Sequence, residues 1–165
     1  MRQTVGTTWV LQLVIVFMLI FVAFLALSIN YTKAFQIKNE LLGMIEKYEG
    51  VTNGESGSIS LINNYLRYNG YTTGGRCQIG EYGVRNLNEN TLTPITQSNQ
   101  NQNYYYCVSK IDASTDTLQY RARYRIRIFF KFGLPVIGDI FTFSVEGTTI
   151  NLNRPFDDNM TPIEE

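Results

Sequence analysis

The chain has 165 residues, 14 basic and 14 acidic side chains that cancel to a net charge of zero, two cysteines and no histidine. Neutrality gives no general case for nucleic acid or for an acidic substrate. The lack of His removes the usual base of a Ser or Cys nucleophile and the usual partner of Cys in a zinc site.

Residues 1–8 are a short N-terminal segment, and no charge occurs between Arg2 and Lys33. The stretch Trp9 to Ile29 (WVLQLVIVFMLIFVAFLALSI) is almost wholly apolar, with Gln12 its only strongly polar member. At ~1.5 Å per residue it measures about 30 Å, the thickness of a bilayer's hydrocarbon core. Trp9 and Tyr31 bracket it where an interfacial aromatic belt sits, which predicts a transmembrane helix over residues 9–30. A cleaved secretory signal is the competing reading, with Arg2 as the n-region and Ala26-Leu27-Ser28 as the cut site. The apolar run is longer than an ordinary h-region of ~7 to 15 residues, and the helical pattern continues past it. Tyr31, Ala34, Phe35, Leu41, Leu42, Ile45 and Tyr48 recur at helical spacing, no Pro interrupts Trp9 to Glu49, and Gly43 is the sole Gly there. One helix is therefore expected to leave the membrane and become amphipathic, with its apolar stripe buried against a folded domain over residues 31–155.

Gly50 to Gly57 (GVTNGESG) supplies turn residues, Ser58 to Tyr68 has a short helical pattern through Ile59, Ile62, Tyr65 and Leu66, and Asn69-Gly70 closes it. Gly74 to Asn103 is polar and irregular, ending in the tract Gln97 to Asn103; an exposed loop is the plain reading, a contact surface around Asn99 to Asn103 the functional one. Three strand signals follow. Tyr104 to Ile111 is aromatic and β-branched, with Asp112 to Asp116 as a turn. Gln119 to Phe132 alternates, placing Tyr120, Ala122, Tyr124, Ile126, Ile128 and Phe130 on one face and Arg121, Arg123, Arg125, Arg127, Phe129 and Lys131 on the other. Phe141 to Leu152 (FTFSVEGTTINL) is the third, and short connections predict an antiparallel meander. A sheet with one apolar face and a helix with one apolar stripe bury each other, which gives an α+β domain of pilin-like outline. Residues 156–165 read as a flexible acidic tail.

Cys77 and Cys107 lack a CxxC pattern, and a disulfide between them would close the long polar loop if the domain faces an oxidising compartment. Two buried thiols are the alternative. No G-x-S-x-G, P-loop or dinucleotide fingerprint occurs, and the acidic pairs Asp157-Asp158 and Glu164-Glu165 fall in the tail, so neither catalysis nor a cofactor or small-molecule substrate is expected. The flanking charges barely choose a topology, and the sequons at Asn30 and Asn159 are too common to weigh. The cysteines and the Asn/Ser/Thr-rich composition favour the domain outside the cytoplasm.

Arg121, Arg123, Arg125 and Arg127 form a row with a repeat of about 7 Å, read either as a solvated face paired with carboxylates such as Glu146 or as a docking stripe for an acidic neighbour or lipid headgroups. The aromatic side chains mostly face the other way, which disfavours nucleic acid. In Phe132 to Phe141, the residues Leu134, Pro135, Val136 and Ile137 are too apolar for a plain connection, and are expected to tuck under the sheet, press on the membrane or enter a partner.

The membrane helix running into Glu49, with Tyr124 to Ile150 and within it Leu134-Pro135 and Phe141-Thr-Phe-Ser-Val-Glu-Gly-Thr148, resembles the TadE/TadG-type pilin-like proteins of tight-adherence pili and related secretion systems. The resemblance covers roughly two thirds of the chain. It implies a minor pilin or pseudopilin in the cytoplasmic membrane, partnered by the bilayer and by other pilin-like or assembly proteins, copies of itself included. The chain departs from the processed members of such systems: Gly6 is followed by Thr7, Thr8, Trp9, Val10 and Leu11, without the Glu that peptidase recognition and intersubunit pairing require. A stand-alone surface binding or adhesion module is the second reading.

Overall fold

The computed structural model describes the backbone of residues 2–112, 121–134 and 138–153, and the side chains of residues 8–111, 121–131 and 142–152. The expected turn after Asp112, the start of the alternating strand at Gln119 and Tyr120, the connection Pro135 to Ile137 and the acidic tail lie outside the described residues.

Helix α1 runs unbroken from Arg2 to Lys47. Thr8 to Val22 are all exposed, and the helix is long and apolar enough to cross a membrane. Its second half turns Ala34, Leu41 and Ile45 fully inward, with Ile37, Leu42 and Met44 half-buried beside them, while Tyr31, Phe35 and Tyr48 stay largely exposed at the edges of the stripe. The helix ends in a Schellman turn: the Gly50 N–H donates to Ile45 O at 2.9 Å and the Glu49 N–H to Glu46 O at 3.0 Å. The left-handed residue of that turn is Glu49, with φ 53°, one position earlier than the glycine that the sequence offers. Helix α2 (Ser58–Tyr68) closes the same way, but there Gly70 takes the left-handed position, with the Tyr71 N–H on Leu66 O. The loop between the helices is pinned by Thr52 and Ser58, each of whose backbone N–H groups donates to the other's hydroxyl.

The sheet contains β1 (Tyr82–Val84), β2 (Thr93–Pro94), β3 (Tyr106–Asp112), β4 (Arg121–Leu134), β5 (Gly138–Thr148) and β6 (Leu152–Asn153). It is antiparallel, in the order β2-β1-β3-β4-β5, with β6 paired to the start of β4. The expected meander of three strands is therefore present as β3, β4 and β5. Strands β1 and β2 lie in the stretch read as irregular.

Helices α1 and α2 cover one face of the sheet. Leu41 and Ile45 meet Ile59, Ile62 and Leu66 over Val84, Tyr106, Val108, Tyr124, Ile126 and Ile128, each of them fully buried. The even-numbered residues of β4 supply most of the sheet side of this core, which is the alternation read from the sequence. Tyr106 carries its hydroxyl into the apolar layer and donates to Asn63 Oδ1 at 3.0 Å; the Asn63 amide in turn donates to Glu89 O and Asn90 Oδ1. Burial raises the Tyr106 pKa well above the ordinary tyrosine value.

Helix α1 and β5 lie side by side and run in the same direction. The Tyr31 ring stacks on Phe143 at 6.5 Å, the side chains of Lys38 and Leu42 fill the space above Gly147, and Glu46 Oε1 accepts the Ile150 N–H at 3.1 Å. A Cβ at position 147 would stand 2.7 Å from Leu42 Cδ1, so glycine is what allows this close approach.

Candidate functional site

The odd-numbered residues of β4 face away from the helices, so the arginine row exists as a geometric row. It is not uniform. Arg127 is buried: its guanidinium makes a two-pronged contact with Glu81, Nη1 to Oε2 and Nη2 to Oε1, both at 3.2 Å, and its Nε donates to Glu146 Oε1 at 2.6 Å. Glu146 stands directly across from Arg127 in the β4–β5 register, as the paired reading anticipates. Glu81 is buried as well, and its Oε2 also accepts the Gln78 N–H at 2.7 Å. Arg121 is exposed and Arg123 and Arg125 are half-buried. The Arg123 Nε is buried without a hydrogen-bond partner among the described residues. Arg127 therefore serves as an internal ion-pair centre, and three arginines remain at the distal end of the face.

Cys77 and Cys107 form the disulfide, with Cα atoms 5.6 Å apart. It sits in a second small core on this outer face, with Ile95, Tyr104 and Phe129. Glycines at 75 and 83 let the rings of Phe129 and Tyr104 lie flat on the backbone, since a Cβ at either would enter the ring. The Glu81 carboxylate and the two sulfurs lie within 4.8 Å of one another. Neither sulfur of a disulfide is a thiolate donor, and Glu81 is engaged by Arg127, so this cluster is ion pair plus cross-link and offers no ligand set.

Tyr71 performs a structural task of its own. Strand β3 begins at Tyr106, opposite Ile128, so the next residue of β4, Phe129, has no strand partner on that side. The Tyr71 hydroxyl fills the gap: it donates to Phe129 O and accepts the Phe129 N–H at 2.9 Å. Burial raises its pKa strongly, partly offset by the hydrogen bond to the Phe129 backbone.

The polar tract is more ordered than a free loop. Asn99 Oδ1 accepts the Thr96 N–H at 2.7 Å, Asn99 Nδ2 donates to Pro94 O at 3.0 Å, and Tyr104 OH donates to Asn99 O at 3.3 Å. Asn99 is thus the hub of its own turn, and within Asn99 to Asn103 the exposed members are Asn101, Gln102 and Asn103. Of the membrane-anchor pair, Trp9 is exposed, while Tyr31 also packs on Phe35 at 4.8 Å. Leu134 is described through its backbone only, and Pro135, Val136 and Ile137 fall outside the described residues.

Glu81, Tyr71 and Asn63 are residues that the sequence does not single out. Each works through a partner far along the chain, and no local spacing announces it. The alternation of Tyr82 and Val84 after Gly80 is the only local signal near Glu81. Comparison with known proteins finds no matching family model, no matching curated protein and no matching solved structure.

Proposed function

We propose that the protein is a non-enzymatic, single-pass membrane component of a pilus or secretion apparatus, of minor-pilin or pseudopilin type, with its α+β domain outside the cytoplasm. The observation that carries this reading is the continuity of α1, in which one helix is bare and apolar in its first half and forms the core stripe of the domain in its second. That arrangement makes the anchor and the domain one body, as a subunit that packs through its membrane helix requires. The disulfide supports an oxidising location. The outer sheet face, with Arg121, Arg123 and Arg125 at its distal end, is the surface on which an acidic neighbour would dock.

Shearing native cells tests the assignment. A filament subunit appears in the released surface fraction; an uncleaved platform component stays in the membrane pellet and cross-links to assembly proteins. Retention in the pellet with no cross-linked partner would favour a stand-alone binding module, for which the exposed residues Asn101 to Asn103 are the candidate contact.

A further inference from the structure

We infer that the membrane-proximal end of the outer sheet face is a seat for the phosphate of an anionic phospholipid, built by Arg85 and Lys131 with Lys33 alongside. The inference rests on the single-pass reading of α1 and adds to it a specific lipid contact.

The parallel course of α1 and β5 gives each position of the sheet a height along the helix. From Tyr31 to Glu46 the helix advances about 22 Å and from Phe143 to Ile150 the strand advances about 23 Å, so the contacts at both ends and at Gly147 keep step. Thr142 precedes Phe143 and pairs with Lys131 across the ladder. Lys131 therefore lies at the height of Asn30 to Lys33, where the apolar run ends and the headgroup layer begins. A separate observation agrees: Asn30, Lys33, Phe130, Lys131 and Phe143 line one cavity of about 200 Å³.

Lys131 also borders a larger cavity of about 510 Å³, whose lining includes Arg85, Thr72, Asn103 and Thr142. This cavity has two cations, neutral hydrogen-bonding side chains and no carboxylate in its lining. Neither cation is paired with a carboxylate among the described residues. An Arg fork, an ammonium and hydroxyls around one space suit a phosphate monoanion. The neutralised Arg127 and the buried Phe129 separate this pair from the distal arginines, so the positive face is two groups rather than one line.

The source of the phosphate follows from height. Past Lys131 and Thr142 the two strands continue to Leu134 and Gly138, about 17 Å beyond Phe143 in the direction of the membrane half of α1. That segment of sequence contains Phe132, Leu134, Ile140 and Phe141, with Asp139 its single charge. Cations at headgroup height, followed by apolar residues in the direction of the acyl layer, match a lipid better than a free anion.

The test uses the full chain. It is first incorporated into vesicles of pure phosphatidylcholine; failure to enter them overturns the anchor and the seat together. The protein in mild detergent is then offered equal phosphatidylglycerol and phosphatidylcholine, and the retained lipids are counted by native mass spectrometry. Phosphatidylglycerol is expected to be retained preferentially. The preference should fall about fivefold for Lys131→Gln and vanish in Arg85→Gln/Lys131→Gln, while Lys47→Gln, exposed at the C-terminal end of α1, leaves it unchanged. Insertion without any preference, a preference that survives the double substitution, or one erased by inorganic phosphate would each refute the lipid seat and leave the anchor standing. Arg85 and Lys131 are exposed, and retention of the Cys77–Cys107 disulfide checks that the variants are folded.

Discussion

Replacing Arg127 with Met separates the two roles open to the arginine row. The side chain of Arg127 is 10% exposed and that of its partner Glu81 5%, whereas Glu146 is 45% exposed. Removing the guanidinium leaves the Glu81 carboxylate in a near-dry site, where the Gln78 N–H still donates to it. Breaking a buried pair from one side costs about 3 to 5 kcal/mol, because the surviving charge has lost its compensation. Glu146→Gln removes the exposed arm of the same centre and should cost under about 1 kcal/mol. The double variant Glu81→Gln/Arg127→Met buries no net charge and should recover much of the loss, a non-additivity of about 2 kcal/mol or more. Urea unfolding of the full chain in a nonionic detergent, followed by near-ultraviolet circular dichroism of the core tyrosines, measures all three. If Arg127→Met costs no more than Glu146→Gln, the buried ion-pair centre is refuted and Arg127 belongs with Arg121, Arg123 and Arg125 in the proposed docking stripe.

Further outcomes follow from the same contacts. Cys77→Ala/Cys107→Ala opens a loop of 30 residues and should lower stability by about 2 to 4 kcal/mol, read as a shift of the urea midpoint. Glu49→Gly relieves a left-handed non-glycine residue in the α1 terminus and should stabilise by roughly 0.5 to 1 kcal/mol in the same assay. Burial raises the folded pKa of Tyr106 above the ordinary tyrosine value of 10.0, so its neutral form is favoured by folding. Its contribution is complete below pH 10.0 and is lost as pH rises above that value, so alkaline unfolding should coincide with tyrosinate absorbance and be displaced in Tyr106→Phe.

What the sequence reveals follows from periodicity. Helix α2 matches its expected range, and β4 and the inward stripe of α1 follow from apolar residues repeating at the period of their own backbone. Strands β1 and β2 are invisible to that test, since they have three and two residues and include Gly83 and Pro94. They are held by pairing with β3 and by the adjacent disulfide, which are tertiary facts. The arginine row is legible as a row, but four evenly spaced arginines do not say which one is buried. The β3–β4 register does: Arg127 lies opposite Cys107, so the cross-link brings the Cys77 to Glu81 segment over that arginine and no other. The helix end illustrates the opposite case, where Gly50 marks the turn in sequence but Glu49 bears its strained torsion.

The shared length of α1 and β5 has a mechanical corollary. A helix tied to a strand near Tyr31, at Lys38 and Leu42, and again at Glu46 has no hinge between the apolar segment and the domain. With that segment in a bilayer, the domain is left with rotation about the helix axis and a small tilt. Neighbouring copies would hold their sheets at one altitude, and their mutual search would reduce to a two-dimensional problem with a single angle. A lateral pull on any one domain would then reach the lipid as torque on a stiff lever, without a slack linker to absorb it.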